Sequence, residues 1–399
     1  MSFIISFAQL INTYPTWESL SSYLTSEEGG SLRIVSPKDS DYAIVRYVKD
    51  KSNMTLEHVK LFRSVVWQKS KNRPVSVAPV KAVKEEIPSN TSVRVSDFVD
   101  GTMINVFLDS NGSPTLSTRT SLGANGSFYS SRSFAQLFED CFTSYGNSNT
   151  FFSSFLQPNQ FISFILQHPE HKTVSVIAQP RVFVSYFGQV SEDGSVSMNS
   201  YPSTWPAVLA PFAPRVYNES LTLNSSAEAQ AFLKNTQAGH THTWQGIVFQ
   251  DLMTSRRWRL RNPSYTLVRN LRGSEADDAA RFLRLRSEGT MKQYLSYFKE
   301  DSNSMWALEK QWRDRTQELF DAYVDMNKLK TKKMTDLPFT LRPHVYALHG
   351  KYLASLPKEN QGTPRPITKQ SVIDYVNSLS LESQLSILKG DSKPFIPVS

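Results

Sequence analysis

The chain has 399 residues, 39% hydrophobic, 12% aromatic and 20% charged, a balance that excludes a disordered polymer and suits a folded chain with a sizeable core. Basic residues outnumber acidic ones by 44 to 36, for a net charge of +8, and the single cysteine, Cys141, excludes a disulfide framework or cysteine metal site within the chain. No run approaches the ~18 consecutive apolar residues of a membrane span, so no membrane partner is expected.

In chain order, Met1 to Phe7 is apolar but lacks the basic region and small-residue cleavage site of a secretory signal, so a reducing, cytoplasmic compartment is expected. Helical spacing covers Phe3 to Tyr14. Short β-branched runs follow at Ser31 to Val35 and Tyr42 to Tyr47. Further strands are expected at Leu61 to Trp67, Met103 to Leu108, Phe161 to Leu166 and Gly246 to Phe249, with helices at Ser133 to Phe142 and Ala227 to Asn235. This mixture predicts an α+β fold built on mixed or antiparallel sheets. After Arg272-Gly273 the pattern turns helical, with Ser274 as the expected N-cap and helices predicted over 275–298, 304–327, 341–355 and 368–388, separated by breaks at Asp301 to Asn303 and Pro357 to Pro366. Three parts result: 1–60, 61–272 and an all-α domain over 273–399.

The positive charge is concentrated. Between Arg256 and Arg286 there are nine arginines against three acids. Guanidinium forks suit phosphate oxygens, so Arg256, Arg257, Arg269, Arg272 and Arg284 are candidate RNA contacts. In Trp258-Arg259-Leu260-Arg261 the alternation places both arginines on one strand face and the apolar residues on the other. Asp97-Phe98-Val99-Asp100-Gly101-Thr102 reads as a hairpin turn presenting Asp100 and the Thr102 hydroxyl, and Thr118-Arg119-Thr120-Ser121 is a hydroxyl-rich strand end suited to phosphate. His240 and His242 could hold zinc but lack a third ligand nearby, and the His168 ring is expected to make a structural hydrogen bond. The aromatic spacing of Tyr294, Tyr297, Phe298, Trp306 and Trp312 predicts a packed helical core, and His349 is expected to be satisfied internally.

The order of these pieces resembles the covalent nucleotidyltransferases, most closely the bacteriophage type of tRNA-repair RNA ligase. In that family a Lys-X-Asp-Gly loop carries the lysine that takes AMP, a strand Glu touches the nucleotide, Glu-Gly-X-Val binds metal and purine, and Lys-X-Lys contacts phosphates. The corresponding positions here are Phe98-Val99-Asp100-Gly101, Ser163, Gln245-Gly246-Ile247-Val248 and Arg259-Leu260-Arg261. Phe62-Arg63-Ser64 resembles the family's Arg-Gly strand, Pro79-Val80-Lys81 its Pro-X-X-Lys segment, and Thr118 to Ser121 its Thr-Lys-Gly-Ser loop. The resemblance spans roughly 60–270 and implies a ligase-type nucleotidyltransferase (ATP-grasp-like) domain followed by a helical domain for substrate RNA.

The departures fall on the chemistry. A phosphoramidate forms only on an amine, and Phe98 has none. Ser163 and Gln245 replace two carboxylates that would hold a divalent cation against phosphate, so no metal is expected. The resemblance therefore implies a pseudoenzyme that binds RNA, an RNA end or a nucleotide such as a cap through Arg63, Lys81, Asp100, Thr102, Arg119, Arg259 and Arg261. ATP or another nucleotide would be a non-covalent ligand. Two alternatives stand beside it: a structural or assembly protein of a virion or viral factory, with a protein partner, and an active ligase whose nucleophile has moved to Lys81 or Lys84.

Overall fold

The computed structural model describes residues 2–128, 130–171, 173–356 and 365–390. The chain divides into two compact units, 1–267 and 268–399. The first unit begins with β1 (Ser2–Ser6), α1 (Ala8–Thr13), α2 (Trp17–Thr25), β2 (Arg33–Val35), β3 (Tyr42–Arg46), α3 (Glu57–Leu61), β4 (Val65–Gln68) and β5 (Arg73–Val77). It continues through β6 (Thr91–Asp97), β7 (Thr102–Leu108), β8 (Pro114–Ser117), α4 (Phe134–Glu139), α5 (Ser148–Ser153), β9 (Gln160–Gln167), β10 (Arg181–Val190) and β11 (Ser195–Asn199). Then come β12 (Val216–Leu223), α6 (Ser226–Gln237), β13 (Gly246–Asp251), β14 (Arg257–Arg261) and α7 (Pro263–Arg272), the last containing the boundary.

The strands form three antiparallel sheets, ordered β1-β11-β10-β9-β7-β8, β12-β6-β13-β14 and β2-β3-β4-β5. The large sheet is covered on both faces, which is why β9 (QFISFILQ) reads as an apolar run and not as an alternation. Ile104, Ile162, Phe164 and Val184 pack beneath Phe138, Phe142 and Phe152, while Phe107, Phe161 and Tyr186 on the opposite face join Val65 and Trp67 of the smaller sheet.

Two expectations are corrected here. The chain start is a strand: Phe3 and Ile5 are buried, Ile4 is 72% exposed, and this period of two lets Ser2–Ser6 pair with β11. Helix begins only at Ala8. The Asp100-Gly101 segment is likewise no hairpin turn, because β6 and β7 belong to different sheets and the segment crosses between them. Gly101 is required there, since a Cβ would lie 2.4 Å from the Leu166 carbonyl oxygen of β9.

The second unit contains α8 (Asp278–Ser287), α9 (Met291–Tyr297), α10 (Ser302–Tyr323), α11 (Arg342–Ala354), α12 (Lys369–Asn377) and α13 (Leu381–Lys389). The helix expected over 275–298 is divided at Gly289, whose φ of 69° ends α8 in the left-handed region. Its N-cap is Asp277, whose Oδ1 accepts the Ala279 N–H at 2.9 Å, and not Ser274. The segment expected over 368–388 is two helices, because Ser380 caps a new start by accepting the Ser383 N–H. Of the break expected over 357–366, residues 357–364 lie outside the described residues. Tyr294, Phe298 and Trp312 are core, whereas Trp306 is 67% exposed. Among the described residues no helix is long and apolar enough to cross a membrane.

Candidate anion-binding site

Between the large sheet and the β12-β6-β13-β14 sheet lies a pocket of about 90 Å³ whose lining includes Arg63, Arg94, Phe98, Tyr186, Gln250 and Arg257. Three cations line this small cleft together with Asp97 and apolar side chains such as Met103 and Ile165. Pockets that engulf drug-sized ligands run to roughly 300–1,000 Å³, so this one as folded has room for a phosphate-sized group and not for a whole nucleotide.

Alternation along β14 sends Trp258 and Leu260 into the core beside Val95, Ile247 and Phe249, and turns Arg257, Arg259 and Arg261 the other way. Arg257 lies over the Tyr186 ring at 5.5 Å, while Arg259 and Arg261 lie over the Phe98 ring at 6.0 and 5.6 Å. Phe98 is fixed by its N–H, which donates to the Gly246 carbonyl at 2.9 Å. Gly246 has φ of 130°, and a Cβ there would sit 2.2 Å from the Leu260 carbonyl oxygen, so this pairing of β13 with β14 needs glycine. The Phe98 ring is thus a platform for the guanidiniums of Arg259 and Arg261.

Three arginines also hold one extended segment. Arg63 Nη1 donates to the Pro79 carbonyl at 3.0 Å, Arg257 Nη1 to that of Val80 at 3.4 Å, and Arg259 Nη1 to that of Ala82 at 2.8 Å. Lys81 projects from this segment and is exposed, as is Lys84. Arg119 donates to the carbonyls of Tyr47 and Arg63 at 3.2 and 3.5 Å and lies over the Tyr47 ring. Burial, and then Arg257, Arg119 and Arg259, push the Arg63 guanidinium down to about 10. Partial burial, followed by Arg259, Arg119 and Arg63, lowers the Lys81 ammonium. These cations act on one another as like charges held together.

Arg94, which the sequence reading passed over, is 3% exposed on β6. Its Nε pairs with Glu219 at 3.0 Å and one Nη donates to the Ser200 carbonyl at 2.5 Å, but Nη2 is buried without a partner. The available signal was an arginine between two buried valines in Val93-Arg94-Val95, a position that burial penalises unless something uses the charge.

Other expected site residues lie elsewhere. The Asp100 carbonyl accepts Gln167 Nε2 at 2.6 Å, its carboxylate faces the Val174 N–H at 3.5 Å, and Thr102 opens β7 opposite Leu166. Ser163 is fully buried and donates to Asn105 Oδ1 at 2.7 Å, whereas the buried Gln245 Oε1 has no partner. Neither supplies a carboxylate, and no cluster of three or more His, Cys, Asp or Glu gathers among the described residues, so the donor set does not fit a divalent cation. His240 stacks on Trp244 with ring centroids 4.4 Å apart, and the buried His168 contacts Asp140 at 3.0 Å.

In the second unit Arg272 is 5% exposed, with its guanidinium 4.1 Å from the Phe298 ring centroid. Arg284 donates to Glu275 at 2.6 Å, Glu288 at 2.9 Å and the Leu271 carbonyl at 2.9 Å. Both face internal partners, so an RNA phosphate would have to displace those contacts. Arg256 and Arg269 are exposed. His349, expected to be satisfied, stacks on Tyr352 but leaves Nδ1 buried without a hydrogen bond.

The chain matches no protein-family model and no curated protein. Among solved structures it is similar to a chain named as an ATP-dependent DNA ligase from Aquifex aeolicus, at 12% identity and TM-score 0.41, over 70% of this chain and 69% of that one. It is also similar to an archaeal ATP-dependent RNA ligase in two forms. These give 11% identity in each case, TM-scores of 0.36 and 0.38, and coverage of 76% and 75% of this chain and 74% of each of the others.

Proposed function

We propose that the chain is a non-catalytic relative of the ATP-dependent RNA ligases that binds RNA, an RNA end or a nucleotide through phosphate. The observation that carries this reading is the cationic cluster itself, in which Arg63, Arg257 and Arg259 gather on the Pro79 to Ala82 segment beside the pocket, and burial followed by the neighbouring guanidiniums destabilises Arg63 and Lys81 as cations. Such a cluster gains stability when an anion enters it. Phe98 supports the non-catalytic part, because a phenyl ring offers no lone pair to the α-phosphorus. With four cations on phosphates the salt slope for a single strand is about −2.8, a loss of roughly 50-fold in affinity between 50 and 200 mM salt. An RNA titration across that range, beside incubation with radiolabelled ATP or GTP and a divalent metal, tests both halves. Salt-sensitive binding without a covalent band is the expected result. Salt-insensitive behaviour with no label would move the function to an assembly role.

One observation favours a second reading. Lys81 is exposed at the surface, and partial burial followed by Arg259, Arg119 and Arg63 lowers its ammonium, which raises the fraction of free amine available for attack on phosphorus with pyrophosphate as leaving group. A covalent nucleotide band that Lys81→Ala abolishes would establish it.

A further inference from the structure

On the smaller sheet Arg33 of β2 and Arg46 of β3 are direct cross-strand partners. Residues so paired share a sheet face with Cβ atoms only about 5 Å apart, and like charges there destabilise the pairing. Two and four residues before Arg46 on that face come Ile44, which is buried, and Tyr42, whose ring lies 5.5 Å from Phe107 of the large sheet, so Arg46 is half-buried there while Arg33, on the edge strand, is exposed. Arg46 Nε is buried without a hydrogen-bond partner. Burial, then Arg119 and Arg33, lowers the Arg46 guanidinium. Arg119 donates both to the carbonyl of Tyr47, the residue after Arg46, and to that of Arg63, so the same side chain links this pair to the cluster beside the pocket. A fold selected for stability alone would place a carboxylate or an uncharged residue at one of these positions.

We infer that Arg33, Arg46 and Arg119 form a phosphate track outside the pocket that carries the backbone of a single-stranded RNA toward the cationic cluster. The inference rests on the RNA reading above and adds a site to it. Arg119 donates to the carbonyls of Tyr47, next to Arg46, and of Arg63, which lines the pocket, and several cations in succession suit a chain of phosphates better than an isolated anion. As facing like charges Arg33 and Arg46 cost the free fold stability and gain it back in the complex, so removing the exposed Arg33 should move stability and binding in opposite directions.

The test uses the full chain, a fluorescein-labelled oligouridylate and three variants: Arg33→Thr, Arg46→Gln, and Arg33→Glu, which sets a carboxylate opposite Arg46. Each neutralisation should weaken binding about fivefold at 0.1 M salt and make the salt slope shallower by about 0.7. Arg33→Thr, at an exposed edge-strand position, should at the same time raise Tm by about 1 °C, and Arg33→Glu should raise it further while weakening binding more. Affinity and slope unchanged in all three, with the wild type binding, would overturn the track and leave the pocket reading intact. Failure of the wild type to bind would overturn the reading beneath it.

Discussion

The contact of Phe98 with Arg259 and Arg261 can be isolated by Phe98→Leu, which keeps an apolar side chain of similar reach but removes the ring quadrupole. The two guanidiniums lie 6.0 and 5.6 Å from the ring centroid, at the outer edge of an effective cation–π contact. About 0.5 kcal/mol each is therefore expected, for a total near 1 kcal/mol. Phe98 is half-buried, so lost packing adds to this, and a double-mutant cycle with Arg261→Met removes that part. The coupling for this one pair should be about 0.5 kcal/mol. Native-state hydrogen exchange at the β13 and β14 amides reads it in unit 1 without a contribution from unit 2. If the same arginines grip phosphate, the ring competes with the ligand for them. Phe98→Leu should then bind RNA roughly two- to fivefold more tightly, as 0.5–1 kcal/mol converts. Zero coupling together with weaker RNA binding would refute the reasoning, because the ring would then be supporting the pocket and not restraining its cations.

Gly246→Ala should lower stability by several kcal/mol, because its Cβ would meet the Leu260 carbonyl, whereas Gly112→Ala, with φ of 76° and nothing within 4 Å, should cost only about 1 kcal/mol; thermal unfolding of the two variants gives the comparison. Arg281→Ala should cost about 3–5 kcal/mol by denaturant titration, since Arg281 is fully buried and donates to Asp278 at 2.6 Å and to the Arg272 carbonyl at 3.0 Å. The buried His171 is pushed down to about 4 by burial and then by His168. Its folded value lies below its unfolded one, so the unfolded chain takes the proton first and stability should fall as pH drops from about 6.5 to 4. His171→Gln should flatten that slope in a pH series of melting curves.

Much of the fold was legible where burial is simple. β7, β9 and β13 are apolar runs, and the alternation in Arg257 to Arg261 gave the correct faces of β14 before any neighbour was known. β10 escaped notice although it alternates in burial along its length, because Phe183 and Phe187 stand on its less buried face and Gly188 on its buried one, which blurs the apolar alternation. The apolar start of the chain was ambiguous between the two periods until β11 supplied its partner. At the candidate site, a count of arginines could not separate those turned to a cleft from those turned inward. Arg281 and Arg284 donate to the carbonyls of Arg272 and Leu271 and so satisfy the C-terminal turn of α7, a partnership between neighbouring helices that charge density alone does not reveal.

The segment Pro79 to Ala82 carries a consequence for the order in which the protein becomes functional. Two of the arginines that hold it, Arg257 and Arg259, follow their carbonyl partners by 177 residues. During synthesis the early strands emerge long before β14 exists, and closing so long a loop is slow compared with the local pairing of β3, β4 and β5. The cationic cluster therefore comes into being last, when nearly the whole of unit 1 has left the ribosome. A nascent or truncated chain ending before β14 has Arg63, Arg94 and Arg119 but lacks Arg257, Arg259 and Arg261, so the Pro79 to Ala82 segment is held by all three of its arginines only once unit 1 is complete.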